Sequence, residues 1–145
     1  MPDHRIRLRG GWESCPVGAP AESERLTLPT RWGSEPSRRL RLTRRFGSPP
    51  LRPGRQVLLL ILEKVPGVHS IRLNEQEIPH VSPECSSYEI VLDDLPARNV
   101  LVLEVEPPTA QEATDARAPD GSSDWGCIAL VIQTHPEGNV PAKPI

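Results

Sequence analysis

Apolar residues along this chain come in short runs separated by turn residues. The longest, Val57 to Leu62, is unbroken and is followed by Glu63-Lys64. Pro53-Gly54 stops the chain before it and Pro66-Gly67 stops it after. A bounded apolar run of this length is too short for a membrane span and predicts a central β-strand. In Val68 to Leu73, Ile71 and Leu73 alternate with Ser70 and Arg72, which predicts a second strand, and Asn74-Glu75 then turns the chain towards Ile78. Gln56 to Ile78 therefore reads as two strands joined by a short turn, the first buried on both faces and the second on one, with the remaining chain arranged to cover them.

The same pattern recurs on either side. Ile6 and Leu8 alternate with Arg5, Arg7 and Arg9, predicting a short first strand that ends at Gly10-Gly11. Trp12 and a small-residue loop from Pro16 to Ala21 follow, then a brief strand from Arg25 to Leu28, stopped by Pro29, with Trp32-Gly33 in the next turn. Alternation across Leu40 to Phe46 puts Leu40, Leu42, Arg44 and Phe46 on one face. Arg44 interrupts that face, so either a bulge re-aims it or a carboxylate partners it, because an unpaired buried charge is prohibitively costly. Further strands are predicted at Tyr88 to Leu92, at Val100 to Val105 (nearly all apolar, hence central) and at Ile128 to Ile132. Pro107 to Asp124 is the longest segment without a pattern, and a loop of that length is usually functional or mobile. The tail beyond Pro136 is expected to be disordered. Neither an internal repeat nor an amphipathic helix emerges.

Composition sharpens this picture. Eighteen prolines in 145 residues exceed the roughly 5% background and favour a loop-rich β protein, since proline removes a helix donor. With three Trp, one Tyr and one Phe, the core must rest on Leu, Val and Ile. The 17 basic and 19 acidic residues give a net charge of -2, which argues against a nucleic-acid footprint but leaves room for a local basic patch, with Arg38 to Arg45 one candidate. Cys15, Cys85 and Cys127 are odd in number, widely spaced and without a CxxC. They suggest neither a disulfide framework nor a zinc cluster, and reduced, packed thiols are expected. The N-terminus lacks the apolar core of a signal peptide and no stretch is long enough to span a bilayer. A cytoplasmic protein without membrane contact is expected.

Short strands at even spacing predict a single antiparallel β-sandwich domain over residues 1–145, its core at about 6–133 and a flexible tail at 134–145. One long crossing loop suits a jelly-roll connection. Several pieces then fall into a known order. They are Gly11-Trp12-Glu13, Leu28-Pro29-Thr30-Arg31-Trp32, Arg44-Arg45-Phe46, Val57 to Val65, Leu73-Asn74 and Asn99 to Val105. In this order they resemble the galactose-binding-like jelly-roll domain, in particular the N-terminal sugar-binding domain of family 2 glycoside hydrolases, the β-galactosidase and β-glucuronidase relatives. The likeness spans about residues 6 to 133. The family's usual Asn-Gly turn is Asn74-Glu75 here, and Leu42-Thr43 replaces its aromatic pair. In those enzymes the catalytic glutamates lie in a separate barrel, so the resemblance implies a fold and a carbohydrate link, not hydrolysis.

Enzyme signatures are missing from the sequence: there is no Gly-rich phosphate loop, HExxH or GxSxG. Asp93-Asp94 would point to opposite sides of a strand end and reads as a turn. His69, His80, Cys85 and His135 match no common metal-site spacing. No catalytic residue, metal ligand or cofactor is therefore expected. The tryptophans remain. Sugar-binding modules lay flat aromatic faces against pyranose rings, yet the same side chains serve as large packing units. The resemblance implies packing for Trp12 and Trp32. Trp125 closes the long polar loop beside Asp120, Ser122, Ser123 and Asp124, whose polar groups suit hydroxyl recognition, although a Trp at a strand start also plugs the end of a core. Trp125, Asp124 and Trp32 are taken as the candidate ligand contacts. The expected function is a stand-alone, non-catalytic binding module with a carbohydrate ligand. The alternative is a structural or protein–protein interaction domain that keeps the sandwich without sugar binding.

Overall fold

The computed structural model describes residues 4–18, 21, 23–30, 39–52, 54–93, 95–106 and 125–134. The expected segments 107–124 and 135–145 lie outside them, as do Trp32 and Asp124. Among the described residues there is no α-helix, and ten strands form two antiparallel sheets. The strands are β1 (His4–Arg7), β2 (Trp12–Pro16), β3 (Glu24–Leu26), β4 (Leu40–Gly47), β5 (Gln56–Glu63), β6 (Val68–Leu73), β7 (Gln76–Glu77), β8 (Tyr88–Leu92), β9 (Arg98–Val105) and β10 (Cys127–Thr134). One sheet has the order β1-β10-β5-β8 and the other β3-β2-β4-β9-β6-β7. The fold is the expected all-β antiparallel sandwich.

The apolar runs land at the centres of these sheets. β5 lies between β10 and β8, and β9 between β4 and β6. A strand flanked on both sides exposes its side chains least, and both strands are rich in apolar residues. Leu58, Leu60 and Leu62 of β5 face Leu101, Leu103 and Val105 of β9 across a core that also holds Leu42, Ile71, Ile128 and Leu130. Leu59, on the opposite face of β5, is buried as well, so the first strand is covered on both faces as expected.

Two features were not read from the sequence. β5 and β6 are consecutive, but they lie in different sheets rather than pairing as a hairpin. The connection explains this. Gly67 has φ +88°, and a Cβ there would sit 2.2 Å from the Glu106 carbonyl oxygen; its own carbonyl accepts from Glu106 N–H at 2.8 Å. The chain is thereby delivered to the end of β9 instead of back along β5. The second missed element is β2, a paired strand where only Trp12 and a loop were expected. Glu13, Ser14 and Cys15 carry no apolar alternation, because Ser14 occupies an inward position in the row Ser14–Leu42–Leu103–Ile71.

Arg44 adopts neither expected solution. β4 pairs with β2 and β9 in unbroken register, so there is no bulge at Arg44. Its side chain shares the inward row of Trp12, Leu101 and Leu73 and runs over Gly11, where a Cβ would lie 3.0 Å from Nε. Gly11 has φ +80° and leaves that space open. The guanidinium donates to the Arg45 carbonyl, while Nε is buried with no hydrogen-bond partner among the described residues. The side chain is only half-buried, and it forms no ion pair with a carboxylate among the described residues.

Candidate functional site

Three connections converge where β10 begins. Thr30 and Trp125 exchange backbone hydrogen bonds in both directions, at 2.9 and 2.8 Å, and Gly126 N–H donates to the Lys64 carbonyl at 2.8 Å. Gly126 has φ +93°, and a Cβ would meet the Leu28 side chain at 3.1 Å, so glycine lets Leu28 close over this point. Trp125 sits inside the convergence. Its ring is 2% exposed, and its indole N–H donates to the Pro66 carbonyl at 2.9 Å. Trp12 is held in the same manner, 1% exposed, with its indole N–H donating to the Leu8 carbonyl at 2.8 Å.

Of the three expected ligand contacts, Trp125 alone is among the described residues. Its ring is enclosed by the core, and both its polar and its apolar parts are satisfied there. In this arrangement Trp125 supplies packing and fixes the strap 28–30 over the sandwich end; it turns no open face to solvent.

Sequence reasoning gave no role to the polar cluster at the opposite end of β9. Asn99 is the one fully buried polar residue among the described residues, 1% exposed. Its Nδ2 group donates to Ser48 Oγ at 2.9 Å and to the Pro96 carbonyl at 3.2 Å, and its Oδ1 accepts from Asn74 Nδ2 at 2.9 Å. Asn74 in turn takes the Val100 N–H on Oδ1 at 2.9 Å. The signal was present in the alternation, since Asn99 is in phase with Leu101, Leu103 and Val105 and so had to point inward. Asn74 and Glu75 both have positive φ, 52° and 69°, the backbone a two-residue hairpin turn demands. The turn thus keeps its form although Glu75 replaces the glycine.

A polar strip crosses the outer face of the larger sheet. Arg41 stands opposite Glu104 with a 3.8 Å ion pair, and His69 Nε2 lies 3.2 Å from Glu106 Oε2 and within 3.5 Å of Arg39 Nη2. The arginine series around β4 therefore works partly in cross-strand pairs. Tyr88 is anchored between the strands and the 80–87 loop: its hydroxyl donates to the Ser82 carbonyl at 2.8 Å and accepts from Ser82 N–H at 3.1 Å. Burial raises its phenol above the ordinary range, partly offset by that Ser82 hydrogen bond. All three cysteines are half-buried free thiols. Among the described residues, no cluster of three or more His, Cys, Asp or Glu is placed to hold a metal ion, and no helix is long and apolar enough to cross a membrane.

These features define an antiparallel β-sandwich domain. The structure is similar to part of the FMN-binding beta-glucuronidase from Facaelibacterium prausnitzii L2-6, with a TM-score of 0.68 at 15% identity over 91% of this chain. The chain spans 23% of that enzyme's length. At this identity the likeness establishes the fold, which is the one implied by the family 2 resemblance. No family model and no curated protein matches the sequence.

Proposed function

We propose that the chain acts as a non-catalytic binding module with a carbohydrate ligand. The observation that carries this reading is the match of nearly the whole sandwich to a segment of a beta-glucuronidase. Within the module, Trp32 and Asp124 are the side chains assigned to ligand contact. The test is a thermal-shift and glycan-array screen of the wild-type protein that includes glucuronic acid and its glycosides. A reproducible hit weakened by Trp32→Ala or Asp124→Ala supports the reading. A folded protein that binds no glycan overturns it.

One observation favours the protein-interaction alternative. Val91, on the edge strand β8, is 61% exposed, and exposed apolar edges are sites of strand pairing.

A further inference from the structure

The smaller sheet ends in two edges of opposite charge. β1 presents His4, Arg5 and Arg7, all exposed, and β8 presents Glu89 and Val91, also exposed. The larger sheet instead ends in the three-residue β3 and the two-residue β7, too short to template another strand. We propose that β1 of one molecule pairs with β8 of the next, joining copies of this chain head to tail through a continuous sheet. This inference goes beyond the ligand-binding reading and does not depend on it.

The register fits without adjustment. Cross-strand rows run Arg5–Val131–Leu59–Val91, Ile6–Leu130–Leu60–Ile90 and Arg7–Ala129–Ile61–Glu89. Four antiparallel strands leave the two edges antiparallel to each other. A second copy added along the same rows therefore meets β8 in antiparallel orientation, with the alternation of hydrogen-bonded and non-bonded pairs preserved. Those rows set Glu89 opposite Arg7 of the next copy, Ile90 opposite Ile6, and Val91 opposite Arg5. Ile6 and Ile90 both pack partly on the core and are left half-buried by their edge positions, so pairing completes their burial. The Arg5 side chain offers its aliphatic stem to Val91. Neither Arg7 nor Glu89 has an ion-pair partner among the described residues, whereas Arg5 lies 3.6 Å from Glu63.

Symmetric alternatives are less complementary. Pairing β1 with its own copy about Ile6 sets Arg5 against Arg7, like charges directly opposed. Pairing β8 with itself about Ile90 sets Glu89 against Val91 and leaves the carboxylate without a partner. The head-to-tail contact is heterologous, so it propagates until the chain of copies closes or runs on.

Sedimentation velocity on the full chain across a concentration series, at low and high salt, tests the proposal. The wild type should form concentration-dependent oligomers that weaken with salt. Arg7→Glu alone and Glu89→Arg alone should each weaken association on the order of tenfold, from the reversal of one cross-strand pair. Arg7→Glu with Glu89→Arg in one chain should restore it, and so should mixing the two single variants. Circular dichroism of each variant checks the fold. A wild type that stays monomeric at millimolar concentration in low salt overturns the proposal. So does an Arg7→Glu variant that associates like the wild type, which would place the contact elsewhere.

Discussion

Asn99→Asp keeps the size of the side chain and changes only its hydrogen-bonding sense. The Asn99 amide group faces Ser48 Oγ at 2.9 Å, the Pro96 carbonyl at 3.2 Å and the Phe46 carbonyl at 3.5 Å. All three are oxygens, and Ser48 Oγ already donates to Pro96 at 2.6 Å. A carboxylate there would set charge against oxygen lone pairs at a site 1% exposed, relieved only by the Asn74 amide on the other oxygen. An uncompensated buried charge costs about 3–5 kcal/mol, and the Asn74 bond argues for the lower end. When the introduced carboxyl is protonated, its single O–H satisfies one acceptor, and the loss falls to about 1 kcal/mol, one hydrogen bond. Burial and the facing oxygens raise the carboxyl's folded pKa above its unfolded value of about 3.9. The folded state then binds more protons than the unfolded state, so stability falls as pH rises through that window. Guanidinium denaturation of variant and wild type at pH 3 and pH 7 measures the effect as a difference at each pH. The expected gap between the two differences is about 2 kcal/mol, with a melting temperature at pH 7 lower by roughly 10 °C. A variant that loses less than about 1 kcal/mol at both pH values would refute the inward placement of Asn99.

Trp125→Ala should destabilise by about 3–5 kcal/mol, the cost of truncating a buried aromatic; urea denaturation that finds it near neutral would remove Trp125 from the core. Glu75→Gly should stabilise by about 1 kcal/mol, because Glu75 holds φ 69° in a left-handed conformation that glycine adopts at no steric cost. An unchanged or lower denaturation midpoint would show that Glu75 makes a compensating contact. Tyr88 is the one tyrosine of the sequence, so ultraviolet absorbance follows its phenol alone. Its midpoint should lie above the ordinary value of about 10, since burial disfavours the phenolate. Stability linked to this group is complete below the unfolded value and is lost as pH rises through the folded one. A midpoint at or below that of free tyrosine would contradict its placement against Ser82.

What was legible in the sequence follows from what periodicity can carry. β5, β6, β9 and β10 were readable because apolar runs and alternation record burial directly, and burial is greatest for strands flanked on both sides, while the edge strand β8 was readable from its alternation alone. β2 was not, because its inward row includes Ser14, and a strand of mixed polarity has no period to detect. The sheet assignment of β5 and β6 was not legible for a different reason. A short turn between two strands looks the same in sequence whether the chain folds back or crosses the sandwich, and here the Gly67–Glu106 contact decides. Such a contact joins residues far apart along the chain, and no local pattern encodes it.

The polar interior shows the same limit and points to the nature of the candidate site. Arg44 and Asn99 occupy successive inward positions, two register steps apart on paired strands, Arg44 opposite Leu101 and Asn99 opposite Phe46. Asn99 is resolved by a closed set of partners from three loops, whereas Arg44 is resolved by an empty space over Gly11 and by staying half-exposed. Both solutions depend on residues from other parts of the chain, so alternation alone flagged the anomaly without its answer. Each of these groups, like Trp12 and Trp125, is already committed to holding the sandwich together. These groups are therefore not free to serve as a binding surface. The described surface offers the charged edges β1 and β8, whose Arg7 and Glu89 have no ion-pair partner among the described residues and whose rows already align.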